Sequence, residues 1–152
     1  MAYTPLVLEP VVSGLPAGFH AMQVEAMAEG YRSLQRLAAD WAANVTRFDR
    51  ADESLLAAFS NGALAGIGGL TIDPVVREAL RMRRFYVRAS YRRLGIGRML
   101  ARALLDKPRS AGRLVTVNAG TGSAPFWESL GFSPDETDGH THVLARCASR
   151  YR

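Results

Sequence analysis

Residues 92–98 (Arg-Arg-Leu-Gly-Ile-Gly-Arg) have the composition of a binding site for a negatively charged group. They lead directly into apolar residues at helical spacing, so their backbone N–H groups would form the unpaired first turn of a helix. Gly95 and Gly97 would let a ligand approach the backbone, and the helix dipole adds positive potential at this end. A phosphate is the usual ligand of such a helix start. The segment therefore predicts a phosphate site. The alternative is that these residues only form the start of a helix and bind no ligand.

Two common phosphate-binding loops do not fit this segment. A dinucleotide-binding fingerprint needs a third glycine where this chain has Leu100, and an acid about 20 residues later, where Val115 to Asn118 supply none. A P-loop needs Gly-Lys-Ser or Gly-Lys-Thr, and the chain contains neither triplet. A phosphate would have to be held by a different kind of loop.

The distribution of charge also indicates an anionic partner. The 152 residues carry 19 basic and 14 acidic side chains, a formal net charge of +5. Twelve of the basic residues lie between Arg77 and Arg113, where Glu78 and Asp106 are the only acids, so this window carries +10 and the rest of the chain −5. Nucleic acid, a membrane surface and a polyphosphate cofactor would all suit this window, and a solvated arginine-rich face would explain it without any partner.

Composition narrows the class of protein. Hydrophobic residues make up 48% and charged residues 22% of the chain, which excludes an intrinsically disordered protein. No apolar run approaches the ~18 residues of a membrane span, and the first residues lack the basic head of a signal peptide. A single cysteine, Cys147, excludes a disulfide framework, and with only three histidines we expect no metal site. We expect a single cytoplasmic domain over residues 1–152.

Hydrophobic periodicity predicts the elements that position residues 92–98. An edge strand at Pro5–Val12 precedes two helices within Ala17–Asn44 that meet at Gly30. Later strands are expected at Ser54–Phe59, Ala63–Ile72, Leu80–Val87, Arg113–Asn118, Phe132 and His142–Ala145, the first two joined by a hairpin turn at Asn61-Gly62. Later helices are expected at Ile96–Leu105, ended by Pro108, and at Ser123–Leu130, ended by Gly131. The order β-αα-βββ-α-β-α-ββ predicts an α+β (mixed α/β) fold with helices on both faces of one sheet.

Two motifs in this order resemble the GNAT superfamily of acyl-CoA-dependent N-acyltransferases. The first is Arg92-x-x-Gly95-x-Gly97 at the start of an amphipathic helix after a strand, and the second is Phe126-Trp127-Glu128-Ser129-Leu130-Gly131-Phe132. The match is strong over Leu80–Phe132, and upstream only the order of elements agrees. The resemblance implies a mostly antiparallel central sheet that splays in the middle, and an N-acetyltransferase with acetyl-CoA as co-substrate.

The resemblance implies direct attack of a primary amine on acetyl-CoA in a ternary complex. The acceptor would be a small-molecule or peptide amine that the sequence does not identify. Similar proteins are frequently homodimers, and we expect neither a nucleic acid nor a membrane as partner. A CoA-binding module without catalysis and a basic nucleic-acid-binding protein are the alternatives, although no nucleic-acid-binding module is recognised.

The resemblance also implies a site. Backbone N–H groups from Arg93 to Arg98 would hold the pyrophosphate of CoA, and the strand Phe85–Val87 would pair with its pantetheine arm. The N–H of Phe85 would polarise the thioester carbonyl. The full set of expected cofactor-binding residues is Phe85, Tyr86, Val87, Arg92, Arg93, Leu94, Gly95, Ile96, Gly97, Arg98, Asn118, Ser123, Phe126 and Trp127.

This chain has different residue types at the two positions where the family often has its proton-transfer groups. Trp127 stands where relatives often have a tyrosine that protonates the thiolate, and an indole N–H does not dissociate usefully. Arg81 stands where many relatives have a glutamate on the central strand. Asp73 and His142 are the candidate general bases, with an Asp-Pro turn and a satisfied strand histidine as the structural alternatives. Tyr86 is expected to face away from the reaction.

Overall fold

The computed structural model describes residues 5–137 and 139–144. In this part of the chain the elements are β1 (Leu6–Pro10), α1 (Phe19–Ala28), α2 (Ser33–Ala42), β2 (Ser54–Ser60), β3 (Ala63–Ile72), β4 (Leu80–Val87), a 3-10 turn (Ala89–Tyr91), α3 (Ile96–Ser110), β5 (Val115–Val117), α4 (Ala124–Ser129), β6 (Ser133–Pro134) and β7 (His142–Leu144). The order agrees with the prediction from hydrophobic periodicity.

The strands of the described residues form one sheet in the order β1-β2-β3-β4-β5-β7-β6. Only the β4–β5 pair is parallel, and β1 lies at an edge as its prolines predict. The β2–β3 turn is the predicted hairpin: Asn61 and Gly62 have φ values of 51° and 83°, as a two-residue turn between twisted strands requires. The predicted mixed, mostly antiparallel fold is confirmed.

Helices cover both faces of the sheet. On one face, α1 and α2 bury Met22, Leu34 and Leu37 in a cluster that includes Ile67 and Tyr86 of the sheet. On the other face, α3 and α4 pack over the centre of the sheet through a second cluster of apolar side chains, namely Leu104, Leu105, Trp127, Leu80, Met82, Val115 and Val117. Within the described residues no helix is both long and apolar enough to cross a membrane. Periodicity predicted the buried residues of α1 and those of α3 in part: Ile96, Leu100 and Leu104 are buried, whereas the predicted Met99 and Ala103 are exposed.

The sheet splays between β4 and β5. β4 has eight residues, but β5 pairs with only the first three of them, from Leu80 opposite Val115 to Met82 opposite Val117. Beyond this point the rest of β4 has no partner in β5, so a cleft opens at the centre of the sheet. The predicted splay is therefore present, and it exposes the β5-facing edge of residues 83–87.

Some predicted boundaries are wrong. Pro108 does not end α3, which continues to Ser110, because the ring of Pro108 is buried and the last turn is closed by Ala111 N–H donating to the Lys107 carbonyl at 3.0 Å. β5 is shorter than the predicted Arg113–Asn118. The strand predicted at Phe132 is Ser133–Pro134, and Ala145, predicted in the last strand, lies outside the described residues.

Candidate functional site

The loop before α3 presents a run of free backbone donors. Within the described residues none of the N–H groups of residues 93–98 donates a hydrogen bond, and the first helical bond runs from Met99 N–H to the Gly95 carbonyl at 2.9 Å. Arg93 (φ 66°) and Gly95 (φ 81°) are both left-handed. This alternation turns successive N–H groups toward one concavity, which is the geometry of a backbone anion site. The dipole of the 15-residue α3 adds to the positive potential.

The two glycines of this loop have different surroundings. A Cβ at Gly95 would meet no atom within 4 Å, so the left-handed φ alone favours glycine there. At Gly97 a Cβ would lie 3.4 Å from the ring of Phe126 and 3.6 Å from Val87, which is van der Waals contact. The first helical turn thus sits close to α4 and to the end of β4.

The side chain of Arg92 anchors the loop to α1. Its guanidinium pairs with Glu29, its Nε donates to the Val87 carbonyl at 2.9 Å, and it lies 5.4 Å from the ring centre of Tyr86. Hydrogen bonds from Arg92 and Tyr86 lower the pKa of Glu29 to about 2. Arg92 is among the expected cofactor-binding residues, but protein groups already hold its guanidinium.

Arg98 and Arg93 differ from Arg92. Arg98 donates to the hydroxyl of Ser129 at 2.7 Å and so connects α3 to α4. Arg93 is exposed, and no partner for its guanidinium is found in the described residues. Of the arginines predicted around the phosphate, Arg93 has the side chain most available to an added anion.

A β-bulge lies in the middle of β4. Ile67 faces Tyr86 and Gly69 faces Arg83, so Gly68 alone faces both Arg84 and Phe85. Arg84 has a φ of 62°, which is left-handed and uncommon for an arginine. β5 has already ended at this level, so in the described residues neither Arg84 nor Phe85 has a register partner on either side. The bulge places the backbone of Phe85 at the open cleft.

Aromatic rings form the wall of the cleft on the α3–α4 face. The ring of Phe85 meets Trp127 edge to face at 4.9 Å, and Trp127 makes similar contacts with Phe126 at 4.9 Å and Phe132 at 5.4 Å. Trp127 is 4% exposed, and its indole N–H has no hydrogen-bond partner among the described residues. Trp127 is therefore both a core residue and part of this wall.

Tyr86 faces the opposite side of the sheet, as predicted. Its hydroxyl lies within hydrogen-bonding distance of both Glu25 and Glu29. Burial, reinforced by these two carboxylates, raises the pKa of Tyr86 far above its ordinary value. The phenol is held protonated against α1 and away from the ring of Phe85.

The two candidate bases are fully engaged. The side chain of Asp73 is 0% exposed; it accepts hydrogen bonds from the N–H groups of Val75 and Val76 at 2.8 Å and from the hydroxyl of Thr116 at 2.6 Å, and it pairs with Arg81 at 3.2 Å. Burial opposes ionisation, but these hydrogen bonds and Arg81 outweigh it, so the pKa of Asp73 lies below its ordinary value. This is the arrangement expected of a structural Asp-Pro turn.

His142 is similarly satisfied. Its Nε2 lies 2.9 Å from a Glu128 carboxylate oxygen and its Nδ1 lies 2.8 Å from the hydroxyl of Thr141. The register opposite Val117 places it on the α3–α4 face, apart from Asp73 and Arg81. The structure therefore does not bring the two predicted bases together.

The sequence attached no role to His140, which lies beside the cleft. A cavity of about 390 Å³ at the end of β5 is lined by Asn118, Glu136, Thr137, Gly139, His140 and Thr141. His140 is 5% exposed, and its Nδ1 is buried without a partner among the described residues. Predicted Asn118 is exposed here. Ser123 is the residue before α4, and its hydroxyl donates to the Gly120 carbonyl at 2.9 Å rather than to the helix. A histidine in an irregular segment carries no periodic signal that would have identified it.

Five of the twelve basic residues in the window between Arg77 and Arg113 pair with an acid elsewhere in the described residues. Its ion pairs in the described residues are Arg81–Asp73, Arg84–Asp40, Arg88–Glu25, Arg92–Glu29 and Arg113–Asp52. These five pairs offset half of the +10 formal charge of the window.

Solved structures share this fold. A proposed acetyltransferase of Exiguobacterium sp. 255-15 superimposes with a TM-score of 0.84, at 20% identity over 93% of each chain. Escherichia coli GNAT family N-acetyltransferase YhbS, in complex with CoA, gives a TM-score of 0.67 at 13% identity, covering 95% of this chain and 83% of that one. A GNAT family acetyltransferase of Brucella melitensis, in complex with acetyl-CoA, gives 0.63 at 17% identity, covering 94% and 89%.

The sequence itself also carries the family signal. No curated protein matches the chain. A model of the acetyltransferase (GNAT) family matches residues 19–132, which is more than half of the chain and includes α1, the bulged strand β4, the donor loop before α3, and α4. The chain belongs to the acetyltransferase (GNAT) family.

Proposed function

We propose that the protein transfers an acetyl group from acetyl-CoA to a primary amine by direct attack in a ternary complex. The observation that carries the proposal is the run of N–H groups of residues 93–98, which have no acceptor within the described chain. A pyrophosphate supplies both the acceptor oxygens and the negative charge that suit such a run. The same fold in complexes with CoA and acetyl-CoA supports this ligand class.

The open edge of β4 suits the pantetheine arm of the same ligand. In the described residues β5 leaves Phe85–Val87 without a partner, and an extended ligand that carries amides can pair with such an edge. The edge ends at Val87, and the donor loop begins only a few residues later, after the 3-10 turn. Asn118, Ser123, Phe126 and Trp127, all among the cofactor-binding residues that the resemblance implies, would line the opposite wall.

The thioester supplies an electrophilic carbonyl carbon. The amine nitrogen bonds to this carbon, the carbon–sulfur bond breaks, and its electron pair leaves with the sulfur as a thiolate. The backbone N–H of Phe85 would donate to the carbonyl oxygen as negative charge develops there. In the net reaction the amine loses one proton and the thiolate gains one, so CoA leaves as a thiol.

Proton transfer is proposed to go through water. Trp127 cannot act as an acid, and the hydroxyl of Tyr86 is held against α1 by two carboxylates. The catalytic roles of Asp73 and His142 stay predictions, and their complete sets of partners argue against them. An amine that is neutral at the working pH needs no protein base before it attacks.

A CoA-binding protein without catalysis is the second candidate, favoured by Trp127 and Arg81 at the positions of the usual acid and base. Two measurements separate the candidates: the melting temperature with acetyl-CoA, and thiol release from acetyl-CoA over a panel of primary amines. At a hundred times Kd a ligand adds about 2.7 kcal/mol, which raises the melting temperature by roughly 5–10 °C. A shift together with amine-dependent thiol release supports the enzyme. A shift without thiol release supports the binding protein, and equal shifts with acetyl-CoA, NADH and ATP contradict both.

A further inference from the structure

Arg83 differs from the other arginines around β4. Arg81, Arg84, Arg88 and Arg92 each pair with a carboxylate. Arg83 is only partly exposed, yet it has neither a carboxylate in ion-pair range nor a hydrogen bond among the described residues. Burial, followed by the positive charge of Arg81, lowers its pKa. An anion bound to this guanidinium would favour its charged form and so offset both effects.

A cavity beside Arg83 contains a second unsatisfied group. This cavity, of about 310 Å³, lies between residues 45–53, the end of β3 and Arg83, and we name it the Arg83 pocket. Thr71 lines it, is 2% exposed, and has a buried hydroxyl with no hydrogen-bond partner in the described chain. A buried polar atom without a partner is uncommon in a native protein and needs an explanation. A ligand group with two acceptor oxygens would satisfy both Thr71 and Arg83.

The carboxylates of Asp40, Glu53 and Asp73 offset the charge of Arg83 only in part, because none of them lies in ion-pair range of its guanidinium within the described residues. Glu53 accepts from Ile72 N–H at 3.0 Å, and Asp73 is committed to Arg81 and Thr116. Asp49 is exposed at the rim, as is the cation Arg50. Arg47 donates to the Trp41 carbonyl at 3.0 Å and lies over the Trp41 ring. Arg83 is thus the inner cation of the pocket that remains open to a ligand.

The location of Arg83 connects this pocket to the cleft. Arg83 is the first β4 residue beyond the last β4–β5 pair, and it lies two residues before Phe85, on the other side of the bulge at Arg84. Its register partner is Gly69, whose Cβ would point at Phe48 in the core cluster of α1 and α2. The pocket therefore lies on the α1–α2 face, opposite the aromatic wall formed by Phe85 and Trp127.

We propose that the acceptor is an amine that also carries a carboxylate, and that Arg83 and Thr71 bind this carboxylate. The proposal rests on the proposed acetyl transfer and names its substrate class. The carboxylate would receive two N–H donors from the guanidinium and one O–H donor from Thr71. The amine would then reach the cleft from the α1–α2 face, while the thioester is held from the α3–α4 face.

Matched acceptors test this proposal. The test uses three series of acceptors: straight-chain ω-amino acids of three to six carbons, their ω-amino amides, and the corresponding aminoalkyl phosphates. Affinity is measured by titrating each acceptor into protein saturated with CoA, and kcat/KM is measured for each acceptor with acetyl-CoA. We expect that, for at least one chain length, the amino acid binds at least tenfold more tightly than its amide and has at least a tenfold higher kcat/KM. Equal affinity and kcat/KM for the amino acids and the amides at every chain length, or no binding of any amino acid, would overturn the proposal. A preference for the aminoalkyl phosphates would also overturn it, because the anion bound at Arg83 would then be a phosphate and not a carboxylate.

Variants assign any preference to the Arg83 pocket. Arg83→Gln should reduce the ratio of carboxylate to amide in kcat/KM to near one, and Arg102→Gln, at an exposed position on α3, should leave this ratio unchanged. Thr71→Val should raise the melting temperature of the free protein yet weaken carboxylate binding, a pair of opposite changes that a purely structural role would not produce. A ratio retained in Arg83→Gln overturns the assignment. Acetyl-CoA binding is measured in the wild-type protein and in each variant. A wild-type protein that does not bind acetyl-CoA would contradict the proposed function rather than the role of Arg83.

Discussion

The ring of Phe85 lies so close to Gly68 that a Cβ at position 68 would be 2.7 Å from the ring atom Cε2. Gly68 is also the β3 residue that faces the bulge at Arg84 and Phe85. The absence of a side chain at Gly68 thus provides the space in which the ring of Phe85 packs against β3 and meets Trp127. The position of the Phe85 backbone at the cleft depends on this contact.

Gly68→Ala should impair turnover more than it impairs acetyl-CoA binding. The added methyl must displace the ring of Phe85, which costs about 1–3 kcal/mol of stability and shifts the backbone donor at the cleft. The donor loop of residues 93–98 is unaffected, so the affinity for acetyl-CoA should hold. Steady-state kinetics and calorimetric titration measure the two effects, with Gly14→Ala as the control because a Cβ there meets nothing within 4 Å. Wild-type kcat in Gly68→Ala would show that the position of Phe85 does not matter.

Gly95→Val should abolish the rise in melting temperature that acetyl-CoA produces. Valine at φ 81° is strained, and relief of that strain would turn the donor loop out of its concave shape. Gly112→Val is a matched control, since Gly112 has φ 65° and open space around its Cβ but lies after α3. Both variants should lose roughly 1–3 kcal/mol of stability, and only Gly95→Val should lose the ligand response. Equal ligand responses in the two variants would mean that the loop is only a helix start.

The pH–rate profile should rise with deprotonation of the acceptor amine and show no falling limb near pH 10. Trp127 has no ionisation in this range. Burial and two carboxylates raise the pKa of Tyr86 well above the ordinary value of about 10, so its phenol also stays protonated. A falling limb near pH 10 in the rate of thiol release, measured with a weakly basic amine, would show that an acid with an ordinary tyrosine pKa takes part.

Trp127→Phe should reduce the rate only as far as it reduces thermal stability. The indole packs edge to face against Phe85, Phe126 and Phe132, so the smaller ring should cost roughly 1 kcal/mol or more in these contacts. Melting temperature, acetyl-CoA affinity and kcat are measured on the same sample. A large fall in kcat with the other two unchanged would show that the unpaired indole N–H itself contacts a reactant.

The Glu29–Arg92 pair should contribute stability that is lost in acid. The hydrogen bond from Arg92 lowers the pKa of Glu29 from 4.5 to about 2, so this contribution is complete above about pH 4.5 and disappears as the pH falls toward 2. In urea unfolding from pH 2 to 7, Glu29→Gln and Arg92→Gln should each flatten this part of the stability profile, and the double variant should flatten it no further. An unchanged slope in Glu29→Gln would contradict the ion pair.

Local patterns predicted most of the fold. Asn61-Gly62 specified its hairpin because only a few residues favour two successive left-handed conformations. The apolar spacing of α3 predicted the burial of Ile96, Leu100 and Leu104 but also included Met99, which is exposed. The predicted end of α3 at Pro108 is wrong, because the tertiary contacts that bury the ring of Pro108 outweigh its local preference to end a helix.

Long-range partners in the site could not be predicted from sequence. The donor loop was recognisable from Gly95 and Gly97, but the capture of Arg92 by Glu29 joins residues far apart in the chain. The same holds for Thr116 and Asp73, whose contact satisfies a carboxylate that the sequence offered as a base. The bulge at Arg84 arises from a one-residue mismatch between β3 and β4 that no local pattern marks.

The most direct measurement is the amide NMR spectrum of the protein titrated with acetyl-CoA. The N–H resonances of residues 93–98, which have no acceptor in the described chain, should shift strongly and exchange more slowly with water as the pyrophosphate accepts their hydrogen bonds. The N–H of Phe85 should shift with acetyl-CoA, and NADH at the same concentration should leave these signals in place. Saturable acetyl-CoA binding that leaves the resonances of residues 93–98 unmoved would contradict the account.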